Sequence, residues 1–182
     1  MKTQPACPNQ DSIETPLFLL KRTCASLLLA LLFAAGCTTI DHVTGENVQN
    51  MYSLDDEIQM GTEVVRGYTA VMISNNVPVN QDLQRLAHLQ DMMRRITTVS
   101  HIPTLPYEVT LYHADIVNAM AAPGGKIMVF EGLWNGENGL VRDDDELAAV
   151  MAHEIAHVNC RHSTEAMTRA LPARSEERRV GK

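Results

Sequence analysis

The chain has 182 residues, with 15 Lys and Arg against 22 Asp and Glu and a formal net charge of -7. That acidic balance argues against nucleic acid as a partner and leaves no basic patch for an anionic lipid surface. With residues 1–36 set aside as a leader, the remainder is long enough for one domain with its own hydrophobic core, and no later apolar run approaches membrane-spanning length.

The leader reading rests on Lys21 and Arg22, an apolar run from Cys24 to Ala35, and the small residues that close it. This is the pattern of a secretory signal peptide. Its last four residues, Ala34-Ala35-Gly36-Cys37, resemble the lipobox of bacterial lipoproteins, with Ala34 where Leu is usual. The resemblance implies that Cys37 is acylated and becomes the new N-terminus. Thr38 follows it rather than Asp, so the expected location is the periplasm, lipid-anchored to the outer membrane. The residues ahead of Lys21 are long for such a leader and fit a later true start. Of the four cysteines, Cys7 and Cys24 leave with the leader and Cys37 carries lipid, so Cys160 is alone and no internal disulfide is expected.

Residues 37–52 are polar and turn-rich and read as a linker from anchor to domain. Ser53, with Asp56 three positions on, predicts a capping box that opens a helix carried by Ile58, Val64, Val65, Tyr68 and Met72. Asn80 is the predicted cap of a second helix, whose stripe is Leu83, Leu86, Leu89, Met93 and Ile96. After Pro103 and Pro106 the period changes. Tyr107 to Tyr112 alternates as a half-buried strand, and Ile116–Ala122 and Lys126–Phe130 read as two strands around a tight Pro123-Gly124-Gly125 turn. A third helix opens at Asp143, with Glu146 completing a capping box, Asp144 and Asp145 suiting the N-terminal dipole, and Pro172 as its latest end.

Inside that helix stands His153-Glu154-Ile155-Ala156-His157, an H-E-x-x-H zinc signature. Four residues make slightly more than one turn, so both imidazoles project side by side and can share one metal, while Glu154 is placed beside the metal to take a proton from bound water. At 100° per residue His157 falls roughly 40° from His153, whereas Leu147, Met151, Ile155 and Val158 gather at roughly 120 to 200°. The apolar stripe is thus predicted to face the core and the His pair a cleft. On a continuous helix His162 and Glu165 point away, at roughly 180 and 120°, and His162 is assigned to packing or hydrogen bonding. Cys160 shares the ligand face but lies about 10 Å along the axis from His153, which suits a small buried thiol. The third His of the metzincin pattern is absent, since Cys160 and Ser163 stand where that pattern has Gly and His.

Asn118-Ala119, Pro123-Gly124-Gly125-Lys126-Ile127, Glu131-Gly132-Leu133, Asp144-Asp145-Glu146-Leu147, His153 to Val158 and Arg161-His162 together resemble the zinc metallopeptidases of the HtpX and CAAX prenyl endopeptidase family, in its bacterial periplasmic lipoprotein branch. The likeness covers about residues 53–170. It implies an α+β fold, a gluzincin-type zincin catalytic domain that is mostly helical, with a small sheet whose edge strand borders the active-site helix. It implies His153 and His157 as Zn(2+) ligands, Glu154 as general base, and Asn118, Ala119, Met120 and Ala121 as the edge where substrate backbone pairs. An extended peptide can be held on such an edge by main-chain hydrogen bonds irrespective of its sequence.

The resemblance also implies a third ligand, a Glu on a helix well downstream, whereas only 25 residues follow His157. Glu176 and Glu177 are the acidic residues of a tail without an apolar face. Residues 173–182 are therefore expected to be non-native, 53–172 to be the N-terminal part of the metallopeptidase domain, and this chain by itself to turn over little or no peptide. The function implied is zinc-dependent endoproteolysis of periplasmic or outer-membrane proteins in protein quality control. The alternative is a non-catalytic periplasmic chaperone or assembly adaptor, which the base at Glu154 disfavours.

Overall fold

Polar composition misleads first at the start of the domain. In the computed structural model, which describes residues 38–135 and 139–170, the stretch expected to be a linker is instead a hairpin. Strand β1 (Thr38–Ile40) pairs antiparallel with β2 (Asn47–Gln49). The turn between them is held by Asp41, whose carboxylate accepts from Val43 N at 2.7 Å and Thr44 N at 3.3 Å and so titrates below the usual range. The next residues dock: buried Asn50 donates from Nδ2 to Thr164 Oγ1 at 2.8 Å, and Met51 N donates to Thr168 Oγ1 at 3.1 Å. These polar groups bind another helix rather than water. The leader 1–36, the expected lipidation site Cys37 and the expected non-native residues 173–182 lie outside the described residues.

Helix α1 (Leu54–Ser74) starts as its sequence predicts. Ser53 accepts from Asp56 N at 3.1 Å, and Asp56 accepts from Ser53 N and Oγ at 2.9 and 2.7 Å, which hold its carboxyl below the usual range, the hydroxyl contributing most. The buried positions of α1 are not only apolar. Glu57 and Gly61 are enclosed, while Val64, expected in the stripe, is half exposed. Gly61 is required by a close crossing, because a Cβ there would lie 1.9 Å from the carbonyl oxygen of Pro123.

Helix α2 (Leu83–Thr98) is capped by Asp82, which accepts from Gln84 N and Arg85 N at 3.1 and 3.0 Å, and not by Asn80. Asn80 sits at φ +54° and pairs with the sheet instead, its Oδ1 accepting from Leu111 N at 2.8 Å and its N donating to Leu111 O at 2.9 Å. The stripe holds from Leu89, Met92 and Met93 inward, but Leu83 is exposed. A polar knot fastens this end of α2: Glu131 accepts from Arg85 Nη1 at 2.5 Å and bonds His113 Nδ1 at 3.1 Å, and His113 Nε2 accepts from Gln81 N and Asp82 N.

Three strands form the second sheet: β3 (Glu108–Tyr112), β4 (Ala119–Ala122) and β5 (Lys126–Phe130), in the order β3-β5-β4. β3 runs parallel to β5, and β4 antiparallel, with Ala119 opposite Val129 and Ala121 opposite Ile127. β5 is buried along its whole length, as a central strand covered on both faces must be. One face gives Val109, Leu111, Ile127 and Val129 to the main core with Leu89, Met93, Leu147, Met151 and Ile155. The other stacks Tyr112 on Phe130 at 5.2 Å, with Tyr68 of α1 edge-on to both. The Pro123-Gly124-Gly125 turn is a short 3-10 segment joining β4 to β5, as predicted, and Gly124 has φ +67°. The strand expected from Ile116 begins only at Ala119, and Ile116 and Val117 are exposed.

Helix α3 (Asp144–Asn159) has Asp143 as N-cap, accepting from Glu146 N at 2.9 Å. The reciprocal bond is displaced by one residue, since Glu146 Oε2 accepts from Arg142 N at 2.8 Å. The helix does not run on toward Pro172. It stops at Cys160, Arg161 takes φ +55°, and a new helix, α4, occupies residues 162–170. Burial explains the break. Arg161 is enclosed, donating from Nε to Glu57 Oε1 at 2.7 Å, from Nη1 to Thr39 Oγ1 at 3.2 Å and from Nη2 to the Tyr52 carbonyl, while Thr164 Oγ1 donates to the same Glu57 oxygen at 2.5 Å. None of the helices among the described residues is long and apolar enough to cross a membrane.

Both charges of the Glu57–Arg161 pair are nearly inaccessible, with side-chain exposures of 2% and 4%. Replacing one partner strands the other, so Glu57→Ala should cost roughly 3–5 kcal/mol in urea denaturation, and the double replacement Glu57→Leu, Arg161→Met should recover most of it.

Candidate active site

The face of α3 opposite the core carries the chemistry. Leu147, Met151, Ile155 and Val158 are buried, which fixes the rotation of the helix and leaves His153 exposed and Glu154 and His157 half-buried. The two imidazoles converge as the one-turn spacing predicts: their Nε2 atoms are 3.1 Å apart and their rings 4.6 Å apart at 88°. Donors held about 2.0–2.1 Å from a tetrahedral zinc lie roughly 3.3 Å from one another, so this pair fits two vertices of such a shell. Glu154 follows His153 on the same turn of the helix and is half-buried. Among the described residues no group of three or more His, Cys, Asp and Glu is arranged to hold a metal ion.

His162 is not where a continuous helix would put it. Its Nδ1 lies 2.8 Å from His157 Nδ1, with ring centroids 5.0 Å apart. The break at Arg161 swings it back toward the His pair, and nothing in the local sequence, which has neither Gly nor Pro there, announces that break. Glu165 does point elsewhere, toward Arg169. Cys160 is a free, half-buried thiol. Burial raises its pKa, and the carboxylates of Asp41 and Glu165 raise it further.

Strand β4 is the edge strand beside α3 and is paired only with β5 among the described strands. Ala121, Ala122 and Pro123 share a small cleft with His157 and Arg161. Ala119, Met120 and Ala121 therefore lie on the expected edge. Asn118 is one residue short of the strand, exposed, and its carbonyl already accepts from Phe130 N at 3.2 Å. An apolar groove of about 810 Å³ opens on the other side of β4, between Met60 and Tyr68 of α1, Met120, Met128 and Met167 of α4. No periodicity in the sequence revealed this groove, because its walls come from segments far apart in the chain.

Peptidase family M48 matches residues 83–174, from the start of α2 through the H-E-x-x-H helix. The chain belongs to that family. Over 128 residues it is 36% identical to the mitochondrial metalloendopeptidase OMA1 of Schizosaccharomyces pombe, covering 67% of this chain and 35% of that protein. Over 135 residues it is 27% identical to the beta-barrel assembly-enhancing protease of Escherichia coli, covering 74% of this chain and 26% of that protein. The OMA1 of Arabidopsis thaliana is 40% identical over 72 residues, 40% of this chain and 14% of that one. The chain thus spans about a third or less of the length of these relatives. Metallopeptidase is the class of activity that the M48 match and these relatives support, and the mixed helical architecture with a small sheet agrees with an M48 domain.

A thiol whose pKa is raised holds little thiolate at neutral pH. Cys160 of the M48 domain should therefore react with iodoacetamide several-fold more slowly than free cysteine at pH 7. Asp41→Asn with Glu165→Gln should speed it, as followed by mass spectrometry of intact protein.

Proposed function

We propose that this M48 domain is the N-terminal part of a zinc-dependent endopeptidase that hydrolyses peptide bonds. The observation that carries the reading is the convergence of His153 and His157 to 3.1 Å on a helix whose next residue is Glu154 and whose neighbour is the free edge of β4. His153 and His157 would hold the metal through Nε2, with a Glu outside the described residues as third donor. Bound there, zinc would supply a lowered pKa for attacking water and polarisation of the scissile carbonyl.

The remaining steps belong to this chain's own residues. An extended substrate adds to β4 through the backbone groups of Ala119 and Ala121, so binding is tolerant of sequence and demands an unfolded segment. Glu154 accepts the proton of the attacking water and delivers it to the leaving amine nitrogen. Met120 turns to the apolar groove, which suits bulky aliphatic side chains on the bound strand. The signal-like leader and Cys37 support a periplasmic, outer-membrane-anchored enzyme, and the likeness to a relative named for beta-barrel assembly supports outer-membrane proteins as substrates in quality control.

The test uses the protein extended through the carboxylate-bearing segment, with an unfolded outer-membrane protein as substrate. Glu154→Gln should lower cleavage by about 100-fold or more while zinc content stays unchanged. Chelation should abolish cleavage and added zinc restore it. Equal client processing by wild type and Glu154→Gln would instead identify a binding adaptor. The 182-residue chain, with two donors among its described residues, should show little turnover.

A further inference from the structure

We propose that His162 is a positioning residue that commits the Nε2 lone pair of His157 to the metal by accepting a hydrogen bond from its Nδ1–H. The proposal rests on the reading of His153 and His157 as ligands.

A neutral imidazole has one N–H and one lone pair, so ligation through Nε2 requires the proton of His157 to sit on Nδ1. In water that tautomer is the less populated one unless an acceptor holds it. Here the Nδ1 of His157 faces the Nδ1 of His162 at 2.8 Å, and its Nε2 faces the Nε2 of His153 at 3.1 Å. For the two Nε2 atoms to share a cation, both must turn lone pairs inward. Nδ1 of His157 is then a donor, Nδ1 of His162 is its acceptor, and the proton of His162 goes to its own exposed Nε2. A hydrogen bond on the far nitrogen both selects the tautomer and fixes the ring plane of a metal-binding His, and is commonly supplied by a carboxylate or a carbonyl. An imidazole in that place does the same without adding negative charge.

The contact is built by the fold. On an unbroken helix His162 would lie roughly 140° around the axis from His157 and could not reach it. The left-handed Arg161, a costly conformation for a residue with a side chain, brings it back, and the buried bonds of Arg161 to Glu57, Thr39 and Tyr52 hold that conformation. His162 itself is exposed, so its removal leaves the core intact.

The experiment compares wild type, His162→Leu, which has no acceptor, and His162→Asn, whose Oδ1 can replace Nδ1. Long-range proton–nitrogen correlation spectra of the metal-free, nitrogen-15-labelled chain report the tautomer of His157 directly. Wild type and His162→Asn should carry the proton on Nδ1, and His162→Leu should shift toward Nε2, with equal thermal midpoints in all three. Zinc affinity, read by competition with a chromophoric chelator, should fall about 10- to 100-fold in His162→Leu and recover in His162→Asn. An Nε2–H tautomer in wild type, or a tautomer and affinity unmoved by His162→Leu, would overturn the proposal. Unchanged zinc affinity in His153→Ala and His157→Ala would overturn the ligand reading itself, a failure separable from the first because the tautomer is read without metal.

Discussion

A buried ion pair organises this domain. Glu57 and Arg161 come from opposite ends of the described chain, yet each is almost fully removed from water and each satisfies the other. Desolvating two charges costs more than an exposed pair returns, so such a pair persists only where geometry is close and the remaining donors and acceptors are filled. Here Thr164, Thr39 and the Tyr52 carbonyl fill them. The pair joins α1, the hairpin and the α3–α4 break, and with it goes the direction in which α4 leaves that break.

A second constraint works at atomic contact. α1 crosses the Pro123-Gly124-Gly125 turn so closely that Gly61 and Gly124 both lie where a Cβ would overlap backbone, that of Pro123 in one case and of Ile58 in the other. The two glycines let α1 sit directly on the end of β4. The strand is thereby held against α3 at one end, while its outer edge is left without a partner among the described strands. A rigidly placed, unpaired edge next to a His pair is the physical basis for reading the site as one that takes extended chain.

Division of labour on α3 follows from burial. Its apolar stripe packs into the core and fixes the rotation of the helix, which brings His153 and His157 together on the open side. Glu154, the next residue after His153, is left half-buried by the same rotation. Chemistry on the open side costs the core nothing.

Much of this was legible in the chain itself. The Ser53–Asp56 box, the strand–turn–strand around Pro123, the alternation in β3 and the one-turn His spacing are local patterns, and each depends on residues a few positions apart. Capping was legible in kind but not always in place. Asn80 and Asp82 offer the same chemistry, and only the pairing of Asn80 with Leu111 decided between them. The hairpin at residues 38–49 was masked by its polar composition, the groove beside Met120 draws its walls from three separate segments, and the return of His162 is set by a buried charge. Local order was written in periodicity and capping; the break at Arg161, and so the contact between His157 and His162, was decided by tertiary structure, because only there does a distant carboxylate make a left-handed arginine the favourable choice.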